Sequence, residues 1–215
     1  MSRNYPFLVG VTGGLGSGKS TVCSFLSKMG CRLFEADRVA KELQLNDSEV
    51  IEGIRKLFGA TVYSFDSSGK FVLDRKKIAS TVFLSSEKLE ALNKLIHPKV
   101  FSEFKKTVQD AAKHRTKILV KEAAILFESG SNRQLDVVVV VVADEQQRIA
   151  RAMRKGLGSR EEIMQRIAQQ WPQEKLIEMA DYVLLNNGSQ EDLKKKTEAL
   201  YNKLLEAASS TCDHL

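Results

Sequence analysis

The chain of 215 residues predicts an α/β protein with a doubly wound, five-stranded parallel sheet, a helical insertion and a lid. Short apolar runs alternate with stretches of helical period, as expected when helices cover both faces of a parallel sheet. One run, 137–142, consists of six consecutive valines, which indicates a central strand buried on both faces. A glycine-rich segment follows the first run, at the strand end where such sheets bind ligands.

The first predicted strand, 7–12, leads directly into the segment Gly13-Gly-Leu-Gly-Ser-Gly-Lys-Ser20. This segment fits the phosphate-binding pattern G-x-x-x-x-G-K-[ST]. A helix is expected over 21–29, because apolar residues recur there at helical spacing. The order of strand, glycine-rich loop and helix predicts a P-loop NTPase-like core that binds a nucleoside triphosphate.

The chemistry of this loop depends on its backbone and on two side chains. We expect the glycines at 13, 14, 16 and 18 to adopt positive φ angles, so that successive N–H groups surround an anion. Lys19 places a positive charge beside the β- and γ-phosphates, and the Ser20 hydroxyl is a suitable ligand for Mg²⁺. The positive end of the following helix adds to the attraction.

Composition favours a small polyanionic ligand over nucleic acid. The net charge is +6, but basic residues are mixed with acidic ones and only 7% of residues are aromatic.

No leader pattern is visible, and the longest apolar run, 137–143, is far too short to span a membrane. Cys23, Cys31 and Cys212 show no metal-ligand spacing and favour a reducing compartment. We therefore expect a cytoplasmic protein that binds neither nucleic acid nor membranes.

A second predicted strand, 31–34, ends at an acidic pair, Glu35 and Asp37. Ligands collect at the carboxyl ends of parallel strands, which predicts that both acids lie beside the phosphate loop. Asp37 can orient an acceptor hydroxyl and help to organise Mg²⁺, or it can cap a helix that begins at Arg38. The spacing alone favours neither role, and the two are compatible.

Residues 38–115 are predicted to be mostly helical. Their length far exceeds a standard crossover between two strands, so we interpret them as an inserted lobe that binds the phosphate acceptor. Residues 65–70 indicate a turn, which an extended piece follows at 71–73. Pro98 is expected to end or kink the helix predicted over 86–96, or to lie in the first turn of the next helix.

A third predicted strand, 118–120, ends near Glu122. Phosphate-loop enzymes often carry an acid there that holds a metal-bound water. The alternative is an ordinary charge at a strand end, and the sequence does not separate the two. The valine strand follows, and a fifth strand over 180–185 precedes the final helix.

An arginine-rich stretch, 146–166, is interpreted as part of a lid. Gly156 and Gly158 divide it into two helices. Arginines on a closing flap neutralise the charge of a phosphoryl group during transfer. The alternative, a solvated helix face, explains any single arginine better, whereas the cluster favours the lid. Its basic residues are Arg148, Arg151, Arg154, Lys155, Arg160 and Arg166.

These elements define one predicted kinase domain, 1–215. Its core comprises 1–37, 116–145 and 180–207, its acceptor-binding insertion is 38–115, and its lid is 146–179.

Several separate segments occur in an order that is typical of one family. They are Gly10 to Ser20, the acids Glu35 and Asp37, Leu73-Asp-Arg75, Ile96-His-Pro98, Ile125-Leu-Phe-Glu128, the arginine-bearing lid helix, and Ala180 to Gly188. Together they resemble dephospho-coenzyme A kinases along nearly the whole chain. The resemblance implies transfer of the γ-phosphoryl group of ATP to the ribose 3′-hydroxyl of dephospho-coenzyme A, which is the last step of coenzyme A synthesis.

The resemblance also implies which residues bind the donor. Arg151 would contact the transferring phosphate from the lid, and Lys19 would take part in catalysis with it. The ATP phosphates and base would be bound by Gly14, Gly16, Ser17, Gly18, Lys19, Ser20 and Thr21, with Asn187 and Gly188 near the base. Mg²⁺ would be held by Ser20, with Asp37 or Glu122 acting through water.

On the acceptor side, the resemblance makes Asp37 the base or orienting acid for the 3′-hydroxyl. Thr12 would lie beside the acceptor. The acceptor pocket would be lined by Arg75, His97, Leu126, Phe127 and Glu128. Two positions depart from the family pattern: Glu35 stands where Asp is usual, and Ala124 stands where Pro is frequent.

Two other functions fit parts of the sequence. A nucleoside or nucleoside-monophosphate kinase would explain the phosphate loop and the lid, but it fits the large insertion carrying His97 less well. A nucleotide-dependent switch protein would explain the loop, and the arginine lid argues against it. The favoured interpretation is a monomer whose substrates are ATP and dephospho-coenzyme A.

Overall fold

The structure is a computed structural model that describes residues 5–210, so Cys212 lies outside the described residues. The chain divides into two compact units. The first comprises residues up to Glu35 together with those from Thr107 onward, and the second is Ala36–Lys106.

The described residues form strands and helices as follows. The strands are β1 (Phe7–Thr12), β2 (Arg32–Glu35), β3 (Tyr63–Phe65), β4 (Phe71–Leu73), β5 (Ile118–Glu122), β6 (Val137–Val142) and β7 (Tyr182–Leu185). The helices are α1 (Lys19–Lys28), α2 (Ala36–Asn46), α3 (Ser48–Phe58), α4 (Arg75–Phe83), α5 (Ser86–Lys113), α6 (Glu145–Arg154), α7 (Arg160–Ala168), α8 (Gln173–Glu178) and α9 (Gln190–Ser210). Single turns of 3₁₀ helix occur at Ala60–Val62 and Ser131–Gln134.

The first unit contains the predicted parallel sheet. Its five strands lie in the order β2-β5-β1-β6-β7, and every neighbouring pair is parallel. All five strands begin or end within two residues of the predicted positions, so the predicted α/β fold class is confirmed. The central strand β1 ends at Thr12, and the phosphate-binding loop starts at the next residue.

Both faces of the valine strand β6 are buried, as its composition predicts. Val139 and Val141 are fully buried in a core to which α1 and α9 contribute Leu26 and Leu204. The alternate residues Val138, Val140 and Val142 point to the opposite face and are also buried. Helix α8 packs on this strand. Burial of β-branched side chains on both faces fixes β6 inside the sheet.

The second unit is helical except for the β3–β4 hairpin. The sequence predicts the turn and the extended piece at 71–73 but misses β3. The Tyr63 ring stacks on that of Phe71 with centroids 5.0 Å apart, and the Asp66 carboxylate accepts N–H groups from Ser68 and Lys70 in the turn. These contacts hold β3 and β4 together. Each strand has only three residues, too few to show a clear alternation of apolar and polar positions in the sequence.

Helix α5 excludes two of the three alternatives predicted for Pro98. The helix runs unbroken from Ser86 to Lys113 with Pro98 inside it, so Pro98 neither ends one helix nor begins another, and the kink stays a prediction. A proline in a helix costs about 3 kcal/mol, because it removes a backbone hydrogen bond and crowds the preceding turn. Ile96, Val100 and Phe104 are buried at intervals of four residues, and this continuous apolar face offsets the cost.

The boundary between the units also lies inside α5. The second unit ends at Lys106, whereas the sequence predicts an insertion that reaches 115. The difference arises because the last turns of α5 make their contacts within the first unit. Between residues 5 and 210, no helix has both the length and the apolar character that a membrane span requires.

Candidate active site

The phosphate-binding loop makes a tight curl between β1 and α1. Gly13, Gly16 and Gly18 have φ angles of 144°, 77° and 103°, as predicted. Gly14 departs from the prediction, since its φ is not positive. A Cβ atom on Gly14 would lie 2.1 Å from the Arg148 guanidinium, so this position requires glycine for space and not for its backbone angle.

Lys19 reaches back across this loop from the first turn of α1. Its Nζ donates to the carbonyl oxygens of Gly13 at 2.7 Å and Gly14 at 3.3 Å. Gly18 precedes the helix in the left-handed conformation, and no described side chain caps the helix start. The N–H groups of this helix start and the ammonium therefore lie at the same end of β1, an arrangement that attracts phosphate.

Arg151 is linked to the phosphate loop through one residue. The buried Asn186 amide donates from Nδ2 to the Ser17 carbonyl oxygen at 2.8 Å. Arg151 donates to the Asn186 carbonyl oxygen and to Gln147 Oε1, each at 3.0 Å. Sequence reasoning named Arg151 and overlooked Asn186, although Asn186 belongs to the Asn-Asn-Gly segment that it quoted. The contact brings the end of β7 and helix α6 to the loop.

Asn187 takes part in a turn with Asp144. Its Oδ1 accepts from the Asp144 N–H at 2.9 Å, and its Nδ2 donates to Asp144 Oδ1 at 2.7 Å. Gln147 Nε2 donates to the Asn187 carbonyl oxygen. A Cβ atom on Gly188 would lie 2.8 Å from Asp192 Oδ2. These contacts hold the segment in place, and its predicted contact with the ATP base stays a prediction.

Two acids lie side by side at the carboxyl edge of the sheet. Glu35 and Glu122 are paired residues in the register of β2 and β5. Burial raises the pKa of the Cys23 thiol well above its usual value, and the negative charges of Glu122 and Glu35 raise it further while Lys19 lowers it. The charges of both acids and of Lys19 therefore all act on the Cys23 thiol, which indicates that these groups lie near one another.

The basic residues of the predicted lid separate into two sets. The break at Gly156-Leu157-Gly158 lies between α6 and α7, as predicted. One set approaches the phosphate loop: Arg148 is buried against it, Arg151 reaches it through Asn186, and Lys155 Nζ lies 3.5 Å from Ser20 Oγ. The other set consists of exposed residues, of which Arg160 bonds to Gln146 and Arg166 to the Leu157 carbonyl oxygen, with Arg154 also exposed. Only the first set has described contacts that lead to the phosphate loop.

Thr12 and the segment after β5 contribute buried groups to the first unit. The Thr12 hydroxyl and both carboxylate oxygens of Glu128 are buried, and neither group has a hydrogen-bond partner among the described residues. Buried oxygens normally have partners, so such groups are candidates for binding a ligand. Leu126 and Phe127 are buried as well, and a Cβ atom on Gly10 would lie 2.7 Å from Leu126. The structure thus gives Leu126 a packing role.

The remaining predicted acceptor residues belong to the second unit. Asp37 is exposed in the first turn of α2, which begins at Ala36. It is therefore not the helix cap that one interpretation of the sequence expected. Arg75 is exposed in α4 and donates to the Lys41 carbonyl oxygen at 3.2 Å, and the half-buried His97 ring lies 6.3 Å from the Phe101 ring. Their predicted contacts with an acceptor stay predictions.

A glycine-curled loop with a helix start and a lysine, set at the end of a central parallel strand, defines a phosphate-loop protein. Residues 7–192 match the family model described as "Dephospho-CoA kinase". The chain therefore belongs to the dephospho-CoA kinase family, and it is a kinase.

Individual relatives agree with the family match. A dephospho-CoA kinase of Chlorobium chlorochromatii (strain CaD3) is 58% identical over 208 residues, which cover 97% of this chain and 98% of that protein. One of Chlorobaculum tepidum is 56% identical over 205 residues, with 95% and 98% covered. The crystal structure of TT1252 from Thermus thermophilus has a TM-score of 0.77 at 31% identity and covers 93% of this chain and 98% of its own. The predicted family and function are confirmed, and the nucleoside kinase alternative is not favoured.

Proposed function

We propose that this kinase transfers the γ-phosphoryl group of ATP to the ribose 3′-hydroxyl of dephospho-coenzyme A. The observation that carries the proposal is the phosphate loop, whose N–H-rich helix start and Lys19 ammonium face the end of β1. Membership of the dephospho-CoA kinase family specifies the acceptor, because a phosphate loop alone serves many acceptors.

On the donor side, the proposed roles follow from position and charge. Lys19 exchanges its two carbonyl partners for phosphate oxygens when the nucleotide binds, since an ammonium has a stronger attraction for an anion. The N–H groups of the loop from Gly14 to Thr21 bind the phosphates, and Asn187 and Gly188 lie beside the base. Arg151, already linked to the loop through Asn186, neutralises charge on the group in transfer.

The residues near Ser20 suit a magnesium ion. Among residues 5–210, no group of three or more His, Cys, Asp or Glu side chains is arranged to hold a metal. Mg²⁺ in kinases is held by few protein oxygens together with waters and phosphates, so such a cluster is not required. The exposed Ser20 hydroxyl would ligate the ion, and Glu122 or Asp37 would hold its waters. The bound ion would neutralise phosphate charge.

On the acceptor side, Asp37 orients the 3′-hydroxyl and accepts its proton. Its exposed position leaves the carboxylate accessible to a substrate. Thr12 and Glu128, whose buried oxygens have no hydrogen-bond partner in the described part of the chain, bind polar groups of the acceptor. Arg75 and His97 of the second unit bind the acceptor, as do Leu126 and Phe127 of the first. We further propose that 38–115 acts as the acceptor-binding insertion and 146–179 as the lid of a cytoplasmic monomer.

A direct assay tests the proposed reaction. The protein is incubated with ATP, magnesium and dephospho-coenzyme A, and the product is identified by mass spectrometry. We expect coenzyme A carrying the new phosphate on the 3′-oxygen, and no comparable product from adenosine or AMP. Absence of product at micromolar enzyme, or equal turnover of AMP, would contradict the proposal. Size-exclusion chromatography with light scattering checks the monomer.

A further inference from the structure

Leu15, in the middle of the phosphate loop, is bound on three sides by the predicted lid. Its N–H donates to Gln170 Oε1 at 2.7 Å, and its carbonyl oxygen accepts from Arg148 Nε at 3.0 Å. Its side chain packs against the buried cluster of Ile149, Ala152 and Ile163 from α6 and α7. We propose that Arg148 and Gln170 are positioning residues, which hold the loop in its phosphate-binding shape and couple it to the lid helices.

The loop needs such support because glycines flank Leu15. Gly14 and Gly16 place few steric limits on the backbone, so the peptide groups before and after Leu15 can rotate. A rotated peptide would turn a carbonyl oxygen toward the bound phosphates and repel them. Gln170 fixes the N–H of the first peptide, and Arg148 fixes the carbonyl oxygen of the second. The two side chains together select one orientation for both peptides.

The burial of Arg148 supports this role. Its exposed fraction is only 6%, whereas Arg154 on the same helix is exposed. Placing a guanidinium in such a position is costly, and desolvation accordingly lowers the pKa of Arg148. A Cβ atom on Gly14 would lie 2.1 Å from its Nη2, and one on Gly16 would lie 2.2 Å from its carbonyl oxygen. The loop and this one arginine are therefore fitted closely to each other.

A positioning role and a role in stability alone predict different effects on ATP binding. If Arg148 and Gln170 position the loop, their loss weakens the binding of phosphates and leaves the acceptor untouched. If they only stabilise the fold, their loss lowers the unfolding midpoint and leaves the affinity of the folded protein for ATP unchanged. Affinity measured on folded protein therefore separates the two roles.

The experiment compares Gln170→Met, Arg148→Met and the double variant, with Gln169→Met as the matched control. Gln169 is the adjacent residue and is exposed. Calorimetry with magnesium and ATP, without acceptor, gives the donor Kd, and steady-state kinetics at saturating ATP give the KM for dephospho-coenzyme A. Urea unfolding confirms that each variant is folded.

We expect each single variant to raise the ATP Kd about tenfold, as for loss of one hydrogen bond at a charged site, with the acceptor KM within about twofold. The ATP Kd of the double variant should rise by much less than the product of the two single increases, because both side chains act on Leu15. Gln169→Met should bind like the wild type. If Arg148→Met does not fold, Gln170→Met alone decides the outcome.

An unchanged ATP Kd in folded Gln170→Met would overturn the inference, as would fully multiplicative losses in the double variant. The inference rests on ATP as the proposed donor, but different results would contradict the inference and the proposed function. Failure of the wild type to bind ATP would contradict the proposed function, whereas equal binding by wild type and variants would contradict only the coupling.

Discussion

The residues proposed to bind the donor are held in place by many contacts, whereas those proposed to bind the acceptor are largely exposed. In the first unit, the phosphate loop is fixed by contacts to side chains of Asn186, Arg148 and Gln170 and by the internal bonds of Lys19. In the second unit, Asp37 and Arg75 are exposed. If the proposed roles hold, the reaction uses a preformed site for phosphate and accessible side chains for the acceptor.

This difference has a physical basis. A loop rich in glycine has many accessible conformations, so it binds phosphate well only when other groups hold it in one of them. An exposed carboxylate needs no such support to stay accessible to a ligand. We therefore expect donor-side substitutions to alter ATP binding and acceptor-side substitutions to alter turnover or the acceptor KM.

The largest expected effect is on turnover. Asp37→Asn should lower kcat about 10³-fold, because the variant cannot accept the proton of the 3′-hydroxyl. The ATP Kd, measured by calorimetry, should change less than about twofold. Glu42→Gln on the same helix removes an exposed ion pair with Arg38 and serves as the control. Equal losses in turnover and in ATP binding would remove the distinction between the two regions.

A substitution on the donor side, unlike Asp37→Asn, should weaken ATP binding. Lys19→Met should lower kcat about 10²-fold and weaken ATP binding, since the loop loses the ammonium that bonds to the Gly13 and Gly14 carbonyl oxygens. Lys28→Met, an exposed position in the last turn of α1, is the control. Calorimetry and initial rates measure both quantities. ATP binding as tight as in the wild type would be evidence against the assigned role.

A smaller effect is expected from Arg75 in the second unit. Arg75→Gln should raise the KM for dephospho-coenzyme A about tenfold, because a charge-assisted contact to the acceptor is lost. The ATP Kd should stay the same. Lys76→Gln, the adjacent exposed position, controls for the change in net charge. If both variants raise the KM equally, the effect comes from general attraction and not from a specific contact.

The last expected effect is on stability and not on the reaction, and it concerns the first unit. Lys121 in β5 is fully buried, and burial lowers its pKa from 10.5 to about 8. Above about pH 8 the folded protein has released this proton while the unfolded chain still binds it. The buried charge of Lys121 therefore costs stability below pH 8, and this cost falls as pH rises toward 10, by about 1 kcal/mol per pH unit.

Urea unfolding of the wild type and Lys121→Met between pH 7 and pH 10 measures this contribution. We expect the free energy of unfolding of the wild type to rise with pH relative to that of the variant. The comparison with the variant is needed because Cys23 and Cys31 have raised pKa values, which act in the opposite direction above pH 9. A constant difference between the two proteins would show that Lys121 does not titrate in this range.

The sequence by itself determined the five sheet strands, the phosphate loop and the division of the arginine-rich stretch at Gly156 and Gly158. Those features depend on local properties: β-branched runs, a fixed spacing of glycines with lysine, and residues that end helices. Each is encoded within about ten residues of chain, so a local pattern is sufficient to predict it.

Only the tertiary structure decided how the loop is held. Gln170 and Arg148 bond to Leu15 across 155 and 133 residues of sequence, and no local pattern marks either side chain as a partner of the loop. The same reason explains the unbroken helix at Pro98, where packing outweighs a local preference. It also explains Gly14, whose missing side chain makes room for an arginine from a distant helix.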